Sequence, residues 1–272
     1  MQRGMRPSEM AALIEIDRIS KTFDGGRTFA VRKVSLQVEA GAFLAFIGAS
    51  GSGKTTTLKS INRLIEPDSG EVRIAGDPVG EEQPPALRRR IGYVFQGIGL
   101  FPHMSVGENI GITPQLLGWP AADIGARVEE LLDMVELPRS YASRYPATLS
   151  GGEQQRAGVA RAIAARPRIV LMDEPFGALD PLTRDAVGSA YRALHDRLGL
   201  TTIMVTHDVE EAILLSDRIA VMKGGRILAH DTPQALMSAS THPDLADVAA
   251  LMDMPRRRAE RIRAISDGAA HG

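Results

Sequence analysis

Apolar and polar positions along the chain follow three regimes. Between about residues 11 and 40 they alternate, as Leu13, Ile14 and Ile16 and then Val31, Val34, Leu36 and Val38, on either side of the turn Asp24-Gly25-Gly26. Period-two alternation broken by such a turn predicts short antiparallel strands with one buried face. Residues 42–47 are instead an unbroken apolar run. It leads into Gly48-Ala49-Ser50-Gly51-Ser52-Gly53-Lys54-Thr55, and residues 56–65 then take helical spacing, closed by Glu66-Pro67-Asp68-Ser69-Gly70. The order strand, glycine loop, helix is thereby set.

Helical periodicity dominates from about 97 to 148, for example Val128, Leu131, Leu132 and Val135, with interruptions at Pro102, Pro114, Pro120, Pro138 and Pro146. This stretch reads as an inserted helical subdomain. Apolar runs of the fully buried kind return at 169–172 and 201–205, each followed by polar residues, with a helix between them over about 182–198. Residues 218–222 and 226–230 flank Lys223-Gly224-Gly225 as a hairpin, and Thr232-Pro233 caps a last helix. Beyond about 240 the sequence turns tail-like. The whole reads as an α/β chain with an antiparallel β subdomain and an inserted α-helical subdomain.

Composition narrows the chemistry. Lys+Arg 32 against Asp+Glu 33 gives a formal charge of -1, which removes the broad attraction a general nucleic-acid binder needs. With no cysteine there is neither a disulfide framework nor a thiolate metal site, so any metal must be held through oxygen. No stretch approaches the roughly 18 apolar residues of a spanning helix, and the first ten residues lack the apolar centre of a secretory signal.

Gly48 to Thr55 matches G-x-x-x-x-G-K-[ST]. A triphosphate is dense negative charge; glycines let main-chain N–H groups approach it, and the helix N-terminus adds its dipole. Lys54 then bridges the β- and γ-phosphates, the Thr55 hydroxyl binds Mg²⁺, and Thr56 follows at the helix start. A chance match in a chain of this length has odds on the order of one in a hundred. The run Ile169-Val170-Leu171-Met172-Asp173-Glu174 ends a buried strand in two carboxylates. Asp173 at the carboxyl edge of a parallel sheet can hold the Mg²⁺ shell, and Glu174 can take a proton from an attacking water. Alone, such a pair is more often a solvated strand end.

Leu149-Ser150-Gly151-Gly152-Glu153-Gln154-Gln155-Arg156 is on one reading only a capping box opening a helix, Ser150 with Glu153. Its two glycines also expose helix N–H groups, which makes a second phosphate site in a chain that already has one. A second site serves a nucleotide held by another copy.

With these residues the chain resembles the nucleotide-binding domain of ABC transporters over about residues 12–235, with the helical subdomain at about 97–160. The resemblance implies an α/β fold with a P-loop NTPase (RecA-like) core, an antiparallel β subdomain and an inserted α-helical subdomain, and an ATPase that uses ATP and Mg²⁺. It makes Gln96 the glutamine that links Mg²⁺ and water to the helical subdomain, and His207, in Val205-Thr206-His207-Asp208, the histidine on the γ-phosphate. Asp180, in Ala178-Leu179-Asp180, crosses the dimer interface, and Ser150, Gly151, Gly152 and Gln154 contact the partner's nucleotide. Phe23 stacks on adenine, with Phe29 as the alternative. His195, His230, His242 and His271 are taken as core or surface residues.

A finer likeness lies in Ile61-Asn62-Arg63-Leu64-Ile65-Glu66-Pro67, Ile98-Gly99-Leu100-Phe101-Pro102-His103-Met104 and Leu116-Leu117-Gly118-Trp119, which are similar to the ATPases of importers for glycine betaine, choline and other quaternary amines. Gly97 departs from that pattern, which favours Gln. The resemblance implies a second copy of the chain and integral membrane permease subunits as partners, a solute-binding protein indirectly, and no nucleic acid. It places the chain peripherally on the cytoplasmic face of the inner membrane. Phe101, Met104 and Trp119 are either ordinary packing or a groove for a helix of the membrane subunit. Residues 236–272 read as a short helical or disordered tail without CBS modules; Arg256, Arg257, Arg258, Arg261 and Arg263 against Glu260 and Asp267 give 255–272 a local charge of +3. Other cargoes, a soluble ABC ATPase and a non-hydrolysing regulator are the competing readings.

Overall fold

Residues 12–97, 99–238, 246–258 and 260–261 are described by a computed structural model. The alternating segment forms two strands of eleven residues, β1 (Ala12–Thr22) and β2 (Phe29–Glu39), paired antiparallel. In the turn between them Asp24 Oδ1 accepts the N–H groups of Arg27 and Thr28, each at 2.9 Å. The strands run longer than the alternation alone suggests because irregular register absorbs its breaks, with Arg18 and Lys33 both at positive φ.

The apolar run becomes β3 (Phe43–Ile47), and α1 (Lys54–Ile61) follows the glycine loop. This helix starts earlier than expected and stops four residues sooner, at Ile61; the side-chain oxygen of the capping Asn62 accepts the Leu64 N–H at 3.2 Å. The expected terminator is a splice rather than a simple turn. Asp68 accepts from Lys21 Nζ and the Thr22 N–H, both at 2.7 Å, while Ser69 and Gly70 already open β4 (Ser69–Ile74), which pairs with β1. With β5 (Asp77–Pro78) this completes a four-stranded antiparallel sheet in the order β2-β1-β4-β5. Next come α2 (Pro84–Arg89) and β6 (Ile91–Val94), the latter unforeseen because four residues containing a glycine carry no clear alternation.

The helical stretch holds α3 (Val106–Leu116), α4 (Ala121–Met134) and α5 (Gly151–Ile163); Pro114 lies inside α3 near its end rather than breaking it. The core resumes with β7 (Ile169–Asp173), α6 (Pro181–Leu198), β8 (Thr201–Val205), α7 (Val209–Leu215) and the hairpin β9 (Arg218–Lys223) and β10 (Arg226–Asp231). Thr232 then accepts the Ala235 N–H at 3.2 Å as α8 (Pro233–Ser238) begins, and α9 (Ala246–Met252) follows. In the tail Arg256 pairs with Glu260 at 2.9 Å and Arg257 with Asp253 at 2.7 Å. His242, Arg263, Asp267 and His271 lie outside the described residues.

The second sheet has six strands in the order β10-β9-β3-β8-β7-β6, parallel from β9 to β6. Its central strands are buried on both faces. Phe43, Ala45, Ile47, Val170, Met172 and Met204 face the helices α3 to α7, whereas Leu44, Phe46, Ile169, Leu171, Ile203 and Val205 face α1 and the antiparallel sheet. Two-sided burial explains why these strands read as unbroken apolar runs. It also brings the ends of β3, β6, β7 and β8 to one carboxyl edge, where polar loops can converge.

Candidate functional site

At the end of β3 the chain turns through Gly48 to Thr55. Two glycines there are sterically required. A Cβ on Gly48 (φ +146) would stand 2.2 Å from the Met222 carbonyl oxygen, and one on Gly53 (φ +100) 2.4 Å from that of Ala30. Lys54 is buried and its ammonium donates to the loop's own carbonyls, Gly48 O at 2.7 Å and Ala49 O at 3.0 Å. Burial pulls its pKa below the ordinary lysine range, opposed by the charges of Glu174 and Asp173. The Ser52 hydroxyl is buried without a partner. A buried orphan hydroxyl and a lysine satisfied only by main-chain carbonyls suit an anion lodged in the loop.

Asp173, at the end of β7, is 2% exposed. It accepts from Thr55 Oγ1 at 2.9 Å and pairs with Lys59 Nζ at 3.3 Å. Thr55 and Lys59 stand four apart on α1, so one helix face presents both. Burial and the nearby Asp173 raise the Tyr93 phenol. Among the described residues no cluster of three metal-ligating side chains exists. One hydroxyl and one carboxylate suit a Mg²⁺ ion that takes its other ligands from phosphates and water.

Glu174 follows at φ +46, a left-handed conformation that a side chain rarely adopts, and its N–H continues the ladder to Val205 O at 2.9 Å. Gln96 Nε2, just past β6, donates to Glu174 Oε2 at 3.3 Å, and His207 Nδ1, just past β8, lies 3.3 Å from the same oxygen. A Cβ on Gly177 would sit 3.7 Å from His207 Cε1. Three strand ends therefore deliver one carboxylate, one amide and one imidazole to a common point.

Ser150, Gly151, Gly152, Gln154 and Asp180 form a separate cluster. Ser150 caps α5 in a two-way box: its hydroxyl accepts the Glu153 N–H at 3.4 Å, and its own N–H donates to Glu153 Oε2 at 2.7 Å. Gln154 Nε2 donates to Leu149 O at 3.0 Å. Asp180 caps α6 through the Thr183 N–H at 3.1 Å, and a Cβ on Gly152 would lie 2.5 Å from Thr183 Cγ2, so the starts of α5 and α6 abut. Among the described residues no hydrogen bond or salt bridge joins this cluster to the glycine loop, Glu174 or His207.

Phe23 is 66% exposed in the turn before β2, with Lys21 Nζ 5.7 Å from its ring centroid. Phe29 and Ala30 open β2; the Phe29 carbonyl lies beside Gly225 of the hairpin, and the Ala30 carbonyl beside both Gly225 and Gly53, so it is Ala30 that borders the glycine loop. His195 is a core residue whose Nδ1 meets Thr202 Oγ1 at 2.9 Å; burial holds its pKa down. Lys59 belongs to no motif in the sequence, although its helical spacing from Thr55 marks it. Arg184, whose Nη1 donates to Asp208 Oδ2 at 3.0 Å, and Glu211, whose Oε2 accepts the Thr206 hydroxyl, carry no comparable local signal.

Residues 31–177 match the family described as ABC transporter. The chain is 49% identical over 225 residues to the glycine betaine/carnitine/choline transport ATP-binding protein OpuCA of Bacillus subtilis (strain 168), covering 83% of this chain and 59% of that one. It is 47% identical over 226 residues to the glycine betaine uptake system ATP-binding protein YehX of Escherichia coli (strain K12), covering 83% and 73%. Among solved structures, the dimeric ATP-binding cassette MJ0796 in a post-hydrolysis state with ADP and Pi superposes with a TM-score of 0.72 at 32% identity, covering 80% of this chain and 98% of that one. The chain thus spans 59% of the length of the OpuCA relative.

Proposed function

The chain belongs to the ABC transporter family, and from that premise we propose that it is the ATP-hydrolysing subunit of an importer for glycine betaine or another quaternary-amine osmoprotectant. One observation carries the hydrolytic reading: Gln96 and His207 converge on Glu174 Oε2 beside an anion-ready loop. The loop Gly48-Ala49-Ser50-Gly51-Ser52-Gly53 wraps the phosphates with main-chain N–H groups, Lys54 leaves its carbonyls for phosphate oxygens, and Thr56 lies at the helix start behind them. Thr55 and Asp173, with Gln96, would hold Mg²⁺, which would screen the negative charge of the phosphates. Glu174 accepts the proton of the attacking water, and His207 steadies the γ-phosphate as charge develops. Phe23 or Phe29 stacks on adenine.

The separate cluster at Ser150 is what a shared site requires. In a two-fold dimer Ser150, Gly151, Gly152, Gln154 and Asp180 of one copy close over the nucleotide held by Lys54 of the other. The dimer acts on integral membrane permease subunits at the cytoplasmic face of the inner membrane, fed by a solute-binding protein. The exposed side chains of Phe95, Phe101, Leu116 and Leu117 suit a permease helix. The cargo assignment rests on the likeness to OpuCA and YehX.

Mixing Lys54→Ala and Ser150→Arg copies tests the shared site. About half of randomly mixed dimers carry one intact site, so roughly a quarter of wild-type sites should return. No gain over either variant alone, with mixed dimers demonstrably formed, refutes the arrangement. For the cargo, glycine betaine and choline should bind the solute-binding protein encoded alongside; binding of amino acids or polyamines instead would overturn the assignment.

A further inference from the structure

His207 is held by its neighbours on both sides. The Asp208 N–H donates to Thr206 Oγ1 at 3.0 Å, and the Thr206 hydroxyl donates to Glu211 Oε2 inside the protein. Asp208 Oδ1 caps α7 by accepting the N–H groups of Glu210 at 2.9 Å and Glu211 at 3.3 Å. That leaves Asp208 Oδ2, which accepts from Arg184 Nη1 at 3.0 Å.

Arg184 does not belong to this loop. It sits in the first turn of α6, and its other terminal nitrogen, Nη2, donates to Leu179 O at 3.0 Å, next to Asp180. Its backbone N–H donates to Asp180 O at 2.9 Å. One planar guanidinium therefore spans the loop that follows Glu174 and the loop that bears His207. Near this strut the two loops approach each other, at Gly177 and the His207 ring. Neither acceptor is a substrate group, so the bridge does not bind nucleotide.

We propose that Arg184 is a positioning residue that locks the 177–180 loop to the His207 loop, so that the imidazole is held against Glu174 Oε2 when a second copy presses on Asp180. This rests on the dimeric ATPase reading above. A guanidinium performs the role because its planar fork aims two separate nitrogens at two acceptors in fixed directions, whereas an ammonium is a point charge on a flexible stem. The bridge is a device for turnover, and ATP affinity is left to the glycine loop.

The test uses the full chain. Arg184→Met keeps the apolar stem and removes the donors; Asp208→Asn keeps the α7 cap and removes the charge. Each should lower kcat about tenfold while KM for ATP stays within about twofold, and the double variant should fall no lower than either alone. A raised KM at unchanged kcat, or losses that multiply, overturns the proposal. If Arg184→Met fails to fold, Arg184→Lys takes its place, since it keeps the charge and loses the rigid two-nitrogen fork. A second readout needs no turnover: the Cε1–H resonance of His207 in imidazole-labelled protein, assigned through His207→Gln. It should shift in Arg184→Met, and an unmoved resonance overturns the proposal. Wild-type protein that hydrolyses no ATP would refute the enzymatic reading, while the His207 resonance still decides whether Arg184 holds the ring.

Discussion

Glu211→Gln should change how stability depends on pH. Glu211 is 9% exposed; Oε2 accepts the Thr206 hydroxyl and Oε1 has no partner. Burial pushes its carboxyl from the ordinary 4.5 up to about 7; the Thr206 hydrogen bond pulls it back, the nearby Asp208 charge adds to the rise, and the Arg184 and His207 charges pull down. Between those two values the folded chain keeps a proton that the unfolded chain releases. Stability from this group is therefore full below pH 4.5 and lost as pH rises through about 7. At 1.36 kcal/mol per pH unit, the loss between pH 5 and 8 amounts to roughly 2–3 kcal/mol. Glutamine does not titrate. Its amide nitrogen in place of Oε1 lacks a partner, a penalty of about 1–3 kcal/mol that is the same at every pH. Urea unfolding followed by circular dichroism should show wild type well ahead of the variant at pH 5, with the gap closing or reversing by pH 8. A gap that stays constant to within about 0.5 kcal/mol across that range would refute the buried-carboxylate assignment.

Glu174→Gln should lower kcat by about 10²–10⁴-fold and leave ATP affinity intact, because the amide keeps the shape and loses the base; near wild-type hydrolysis would remove Glu174 from that role. Gly53→Ala should destabilise the chain by about 1–3 kcal/mol and weaken nucleotide binding, since the new Cβ meets a backbone oxygen that cannot yield. Thermal melts and a fluorescent-nucleotide titration check this, and an unchanged melt refutes it. Lys59→Met removes the cation paired with the buried Asp173 and should cost about 1–3 kcal/mol, less than a fully buried pair because Lys59 is partly exposed and Lys54 also faces Asp173. Mg²⁺ with ATP should restore part of that loss, and equal melts with and without them would contradict the placement of Mg²⁺ at Asp173.

The pieces of this protein that depend on near neighbours were legible in the sequence. The glycine loop between β3 and α1, the box at Ser150, the turn at Asp24 and the Gly224-Gly225 hairpin each form within a few residues, so their physics is written locally. The runs at 169–172 and 201–205 announced two-sided burial through their composition, which was enough to expect parallel strands. What the sequence could not say was which strand lies beside which. The order β3-β8-β7-β6 is the net result of packing two cores against one sheet, and that order alone brings Gln96 and His207, far apart in the chain, to one oxygen of Glu174. β4 and β6 went unread for the same reason, since their pairing with β1 and β7 supplies the burial that short segments lack by themselves. Arg184 and Glu211 lie further still from local inference. Side-chain bridges between loops exist only once tertiary packing has fixed both ends, because a hydrogen bond across the fold needs its donor and acceptor placed to within a few tenths of an ångström.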